Sequence, residues 1–453
     1  MYKNLKMNEF LDESTNPILI KHFNNKKECK SWLSNNHPDQ EPFYQDQSCF
    51  LITELKMAIL VFDEMDPWGI CEPIQNLPRH REYSLDENIK SVDNHCIAWA
   101  LSFYAFDKYL KKPKYPEKPK LVWPKQANKK YVESMIKAIE NVRNLINEPA
   151  NILTPDKLCE ETKSLYKEFN VVIKKISKDD ELKKDYPLVH AVGRASENPP
   201  CVIKVKYKPK NAKKHISLVG KGVCFDSGGL DLKPSSNMLN MKKDMGGAAH
   251  IISLGYLIMS MGLPISFDMY IPAVENSVGP NAFRPKDILT SRKGTTVEIG
   301  NTDAEGRLIL ADVLYEASQY DNDLIIDFAT LTGSARVAMG LEIPAFFTNN
   351  RLIEDKLRKC CEKKNDPAWP LPLAKNYKKY LKSNCADLSS TGSTPYGGAI
   401  TAALFLEHFV GETPWIHIDL MAYNTGSKPG RPEGGEAMSL RGVFQYLTTF
   451  EKS

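Results

Sequence analysis

At 453 residues the chain is longer than the roughly 250 to 300 residues at which a single core stops growing, so two domains are expected. Hydrophobic residues at 42% and charged residues at 26% are ordinary globular proportions and exclude a disordered or fibrous chain. The net charge of +4, from 60 basic and 56 acidic side chains, is too small an excess to make nucleic acid the expected partner.

Ten cysteines occur without a C-x-x-C pair, and Cys360 and Cys361 are adjacent. That is not the pattern of a secreted disulfide framework, and a reducing, cytoplasmic compartment is expected. Residues 1–17 lack the apolar segment of a signal peptide. The longest apolar stretch, residues 251–265, carries serines and is cut by Pro264, so no membrane span is expected.

In chain order, the apolar run at residues 57–62 reads as a strand and residues 88–110 read as a helix. They suggest a small N-terminal α/β domain over residues 1–125, serving as a scaffold or oligomer contact. The segment at residues 111–120 is rich in Lys and Pro; it can neither continue a helix nor fill a core, and the domain boundary is placed there. From residue 126 to 453, helical patterns alternate with Ile/Val/Leu-rich runs at 216–219, 265–272, 324–329 and 415–420. This alternation predicts an α/β catalytic domain with a mostly parallel (mixed) sheet sandwiched by helices.

The run ending at Val219 is followed by Gly220-Lys221-Gly222, which puts Lys221 just beyond the carboxyl end of a buried strand, where open α/β sheets place their ligands. Two acid- and glycine-bearing clusters follow. One runs from Lys221 through Asp226-Ser-Gly-Gly229 and Lys233 to Asp244-Met-Gly-Gly247; the other is Asn301-Thr-Asp-Ala-Glu-Gly-Arg-Leu308. Asp303 and Glu305 are two apart, so in an extended loop both can face one side, with Gly306 allowing a sharp turn before a helix that starts near Arg307.

If Asp226 and Asp244 converge on the same point, four carboxylates cannot all stay ionised without cations between them. Two dications balance the charge of four acids and leave Lys233 and Arg307 as a cationic surplus for a developing oxyanion. Lys221 joins as a ligand only as a neutral amine, its pKa depressed by adjacent dications. An oxygen-rich set with one amine suits Zn, Mn or Co, of which Mn or Zn is expected. Two such ions, typically about 3.5 to 4 Å apart, acidify a water and hold a substrate at once, which is hydrolytic chemistry.

Each motif alone is more often bland: Asp-Ser-Gly-Gly is an ordinary turn, and Asp303 with Glu305 can be acids at a helix N-terminus. Lys221 between glycines at a strand end is harder to explain structurally, and the clusters together favour chemistry. Competing motifs are missing: Glu407-His408 lacks the second His of H-E-x-x-H, no G-x-S-x-G occurs, and Gly220-Lys221 is followed by Gly. His417 reads as a core histidine and Cys224 as a small buried hydrophobe.

Asn301-Thr-Asp-Ala-Glu-Gly-Arg-Leu308 resembles the signature octapeptide of the leucyl aminopeptidase family, the M17 dimetal peptidases. The resemblance runs from about Val142 to the C-terminus, through Arg143-Asn-Leu-Ile-Asn-Glu-Pro-Ala-Asn151, Phe225-Asp-Ser-Gly-Gly229, Asp244-Met-Gly-Gly-Ala-Ala249 and Ala329-Thr-Leu-Thr-Gly333. Leu420-Met-Ala-Tyr423 departs from the small residues of many relatives, and Gly430-Arg-Pro-Glu-Gly-Gly-Glu-Ala437 is similar to the peptidase B branch.

The resemblance implies that Asp226, Asp303 and Glu305 hold one metal and Lys221, Asp226, Asp244 and Glu305 the other. It implies that a metal-bridging hydroxide attacks, that Lys233 stabilises the oxyanion, and that Arg307 holds bicarbonate as general base. Met241, Asn301, Thr330 and Leu331 fall where the family contacts substrate, although each could equally be core packing. The implied substrates are short peptides with a free N-terminus and the implied assembly is a homohexamer. A dimetal hydrolase of another bond, such as a phosphoester, or a DNA-binding scaffold are the alternative readings.

Overall fold

The computed structural model describes residues 9–450. Residues up to Glu140 together with Thr425–Glu433 form one unit, and Asn141–Asn424 with the chain from Gly434 onward form a second.

The first unit is built on a six-stranded sheet in the spatial order Phe10–Leu11, Lys120–Val122, Glu82–Leu85, Ile18–Phe23, Met57–Val61, Cys49–Ile52. Neighbours are parallel except the last pair. The strand expected at residues 57–62 is Met57–Val61. The helix expected at 88–110 is confined to Val92–Leu101. Upstream, Asp86 Oδ1 accepts from the Asn88 amide at 3.0 Å, an Asx turn that holds the backbone out of the helix. Downstream, the Ser102 hydroxyl donates back to the Ala98 carbonyl at 2.7 Å, and Gln75 Nε2 takes the Ser102 carbonyl at 2.6 Å, so the next helical turn has no acceptor there. The Lys/Pro-rich stretch at 111–120 leads into Lys120–Val122, an internal strand of this sheet. The division between the units therefore does not fall at residue 125. It falls at Glu140, within the unbroken helix Lys129–Asn147.

The second unit carries a nine-stranded mixed sheet, here labelled β1 (Val172–Ile176), β2 (Cys201–Tyr207), β3 (Lys214–Gly220), β4 (Gly222–Asp226), β5 (Ile265–Asn276), β6 (Leu324–Ala329), β7 (Ala345–Thr348), β8 (Trp369–Pro370) and β9 (Trp415–Asp419). The spatial order is β8-β7-β9-β6-β3-β5-β2-β1, and β4 adds to the far half of β5. The centre, β9-β6-β3-β5, is parallel. Every residue of β5 and β6 is buried, which is why these strands read as continuous apolar runs: helices cover both faces. Helix α1 (Gly246–Met261) packs on β3, β5 and β6, and α2 (Glu305–Ser318) also packs on these strands.

Because the central strands are parallel, their carboxyl ends share one edge of the sheet. Lys221 after β3, Asn276 at the end of β5, Thr330 after β6 and Asp419 at the end of β9 all lie along that edge, the position at which α/β sheets gather ligand groups.

Candidate metal centre

Lys221 occupies the one-residue gap between β3 and β4. Its amide donates to the Phe328 carbonyl at 3.1 Å and its carbonyl accepts from Ala248 at 2.9 Å, so the backbone is fixed on both sides. The side chain is buried, with Nζ 2.8 Å from Asp244 Oδ2, 2.9 Å from Glu305 Oε1 and 3.0 Å from the Thr330 carbonyl. Asp244 lies in the 3-10 turn Met241–Met245 that leads into α1, and Glu305 is the first residue of α2.

The helix after the octapeptide thus begins two residues earlier than Arg307, the start expected from the sequence. Asn301 Oδ1 accepts from the Asp303 amide at 2.7 Å and starts a 3-10 turn, Thr302–Ala304, that runs directly into α2. Asp303 and Glu305 are therefore on a helical path, not in an extended loop. Gly306 is required by close approach: a Cβ there would stand 2.7 Å from Lys221 Cε and Nζ. Gly228 is required by conformation, at φ +89°, with the Asp231 carbonyl 2.5 Å from where its Cβ would be.

Asp226 ends β4. Its Oδ1 accepts from the Gly228 amide and from Asn276 Nδ2, both at 2.9 Å, and its Oδ2 lies 2.8 Å from Lys233 Nζ. The same ammonium contacts Asp303 Oδ1. Asp226, Asp244 and Glu305 each offer an oxygen within 4.8 Å of the others, and all three are buried. Asp303 stands outside this trio, joined to it through Lys233, with about a third of its side chain exposed. Arg307 is buried and donates from Nη1 to the Ser390 carbonyl at 2.8 Å; among the described residues its Nε has no hydrogen-bond partner.

The remaining four candidate residues divide. Thr330 holds the acid cluster: its hydroxyl donates to Asp244 Oδ1 at 2.8 Å while its carbonyl accepts from Lys221. Leu331 is half-buried and its amide donates to Asp419 Oδ1 at 3.0 Å. Asn301 caps the turn of Asp303, and Met241 opens the turn of Asp244.

Sequence reasoning passed over Asn276, Lys243 and Asp419. Asp419 accepts from the Leu331 and Thr332 amides at 3.0 and 3.1 Å and from the Thr332 hydroxyl at 2.6 Å, fixing the turn after Thr330. The available signal was that Asn276 and Asp419 are polar residues closing long apolar runs. His417 is a core residue, its Nδ1 2.6 Å from Asp327. Burial pushes the Cys224 thiol well up, which leaves it no nucleophilic character at neutral pH.

Burial and mutual repulsion set the protonation of the cluster. Burial and Asp244 push Asp226 up to about 6; burial and Asp226 push Glu305 up to about 8. Burial pulls Lys221 down, but Asp244, Glu305 and Asp226 outweigh it and hold the amine charged, with its pKa above the ordinary lysine value. Lys233 is likewise raised: burial opposes, and Asp226 and Asp303 win. Burial lowers Arg307 to about 10 and the buried Lys243 to about 8. Fully ionised, the four acids carry −4 against +2 from the two bridging lysines, an excess that the raised Asp226 and Glu305 relieve by holding protons when no further cation is present. Oxygen donors in excess of their cations, three of them within reach of one point, fit divalent metal ions.

The cytosol aminopeptidase family's catalytic domain matches residues 140–444. Over 362 residues the chain is 37% identical to the probable cytosol aminopeptidase of Persephonella marina, covering 78% of this chain and 73% of that one. The crystal structure of the cytosol aminopeptidase from Coxiella burnetii superimposes with a TM-score of 0.92 at 40% identity, covering 97% of this chain and 99% of that one. The bottromycin maturation enzyme BotP in complex with Mn superimposes at 0.85 with 26% identity, over 97% and 100% of the two chains. With its acids, lysines and strand edge arranged as described, the chain belongs to the cytosol aminopeptidase family, the M17 metal-dependent peptide hydrolases.

Proposed function

We propose that this chain removes N-terminal residues from short peptides at two divalent ions, Mn or Zn, held by Asp226, Asp303 and Glu305 on one side and Lys221, Asp226, Asp244 and Glu305 on the other. The observation that carries this reading is the buried trio Asp226, Asp244 and Glu305 at the carboxyl edge of a parallel sheet in a chain of this family. The preference for Mn draws on BotP, whose structure is a complex with Mn. When bound, the ions supply an acidified bridging water and a Lewis-acid hold on the substrate's free amine and carbonyl.

The chain's own residues do the rest. Lys221 is held charged by three acids; beside dications the amine would be neutral and would serve as a donor. Lys233 contacts Asp226 and Asp303, two of the three acids of one ion site, and donates to the oxygen of the scissile carbonyl as negative charge develops there. Arg307, buried and with an Nε that has no partner among the described residues, would hold a small planar anion such as bicarbonate, which would supply a proton acceptor. Asn301, Met241, Thr330 and Leu331 line the approach to the first substrate side chain. The N-terminal unit serves as scaffold and oligomer contact, the assembly is a homohexamer, and the compartment is the cytoplasm.

The test separates ligands from electrostatic groups. Asp303→Ala lowers metal content and turnover together, whereas Lys233→Ala lowers turnover by about 10²- to 10³-fold with metal content retained. Complete metal loss in the Lys233 variant removes that residue from the catalytic role.

A further inference from the structure

Asn276 ends β5 with 1% of its surface exposed, in register beside Asp226 on β4. Its backbone carbonyl is gripped by the Ser227 amide at 3.1 Å and the Ser227 hydroxyl at 2.7 Å, so the side chain is delivered from a fixed point. Nδ2 donates to Asp226 Oδ1 at 2.9 Å and to the Thr302 carbonyl at 3.1 Å, and lies 3.5 Å from Glu305 Oε2. All three neighbours are acceptors, so the amide can have only its NH2 facing them, and the orientation follows from chemistry.

The remaining oxygens of the same two acids are held by lysines: Asp226 Oδ2 by Lys233 at 2.8 Å and Glu305 Oε1 by Lys221 at 2.9 Å. Among the described residues Asn276 is therefore the neutral donor that reaches both acids, and it meets the oxygens that the lysines do not hold. A carboxylate in its place would add a fifth like charge, and an apolar residue would remove a restraint from each acid, leaving Asp226 to Gly228 and Lys233 and Glu305 to Lys221. The amide Oδ1 is buried without a hydrogen-bond partner among the described residues.

We propose that Asn276 is a positioning residue that sets the rotamers of Asp226 and Glu305 together, so that both ion sites depend on a single amide. This rests on the reading of those two acids as the ligands shared by both ions. Groups that orient a metal ligand typically change affinity by about 10- to 100-fold when removed. The test uses the full-length protein as Asn276→Ala and as Asn276→Leu, which fills the amide's volume without a donor. Mn and Zn dissociation constants are measured by competition with a chelator, alongside the melting temperature of each metal-free protein. Both variants are expected to bind both ions about 10- to 100-fold more weakly, whereas Asp303→Ala weakens one ion only. Wild-type affinity in Asn276→Leu, or weakening confined to one ion, overturns the proposal. A wild-type protein that binds no pair of ions instead overturns the functional reading on which it rests.

Discussion

Gly306 offers a sharp check on the geometry of the cluster. It lies in the first turn of α2, where alanine is ordinarily better than glycine by up to about 1 kcal/mol. Here the added methyl would sit 2.7 Å from both Lys221 Cε and Nζ, against a normal carbon contact of about 3.5 to 4 Å. Lys221 cannot swing aside cheaply, since Asp244, Glu305 and the Thr330 carbonyl hold its Nζ at 2.8, 2.9 and 3.0 Å. Overpacking costs about 1 to 3 kcal/mol, and one weakened charge-assisted hydrogen bond adds about 1.5 to 3. Against the helical gain, Gly306→Ala is expected to destabilise by about 2 kcal/mol or more and to reduce metal uptake. Chemical denaturation of the metal-free variant reads the first effect and metal analysis after reloading reads the second. A variant that gains about 1 kcal/mol and loads metal like the wild type refutes the placement of Lys221 against this turn.

Further expectations concern protonation and packing. Glu305, raised from 4.5 to about 8 by burial and Asp226, favours the folded state while protonated. That contribution is whole below pH 4.5 and is lost as pH rises toward about 8. Metal-free protein should accordingly melt lower at about pH 9 than at about pH 6, with added Mn or Zn restoring most at the higher pH; an equal or higher melting temperature at the alkaline end contradicts this. Arg143→Met strands the buried Glu436, whose Oε1 lies 3.1 Å from Arg143 Nη2, and should cost about 3 to 5 kcal/mol in denaturant titrations; a loss below about 1 kcal/mol would show the pair to be dispensable. Thr330→Val removes the hydroxyl that donates to Asp244 at 2.8 Å. It should cost about 1 to 3 kcal/mol and weaken metal binding, and unchanged affinity would separate Thr330 from the cluster.

Much of this was readable from residue order. The apolar runs gave β3, β5, β6 and β9 because strands buried on both faces leave no polar alternation to blur them. Gly220-Lys221-Gly222 and the octapeptide stood out because a charged residue between glycines at a strand end has few structural uses. What the sequence withheld depended on contacts far apart in the chain. Asn276 looks like any strand-ending polar residue until β4 lies beside it. The motif at Arg143 to Asn151 carries no chemistry by itself; Arg143 pairs with Glu436 and Asn147 Oδ1 accepts from the Gly435 amide at 2.8 Å, so it clasps the segment at Gly435 and Glu436. The helix at Glu305 began early because a side-chain cap from Asn301 overrode the turn suggested by Gly306. The Lys/Pro stretch read as a boundary, yet a sheet strand follows it directly, which composition does not reveal.

The most direct test of the central claim is hydrolysis of a panel of aminoacyl amides and their N-acetylated forms by metal-stripped protein, before and after adding Mn, Zn or Co. The account predicts activity that returns with metal and vanishes when the amine is blocked. Activity that survives chelation, or that is indifferent to acetylation, would contradict it.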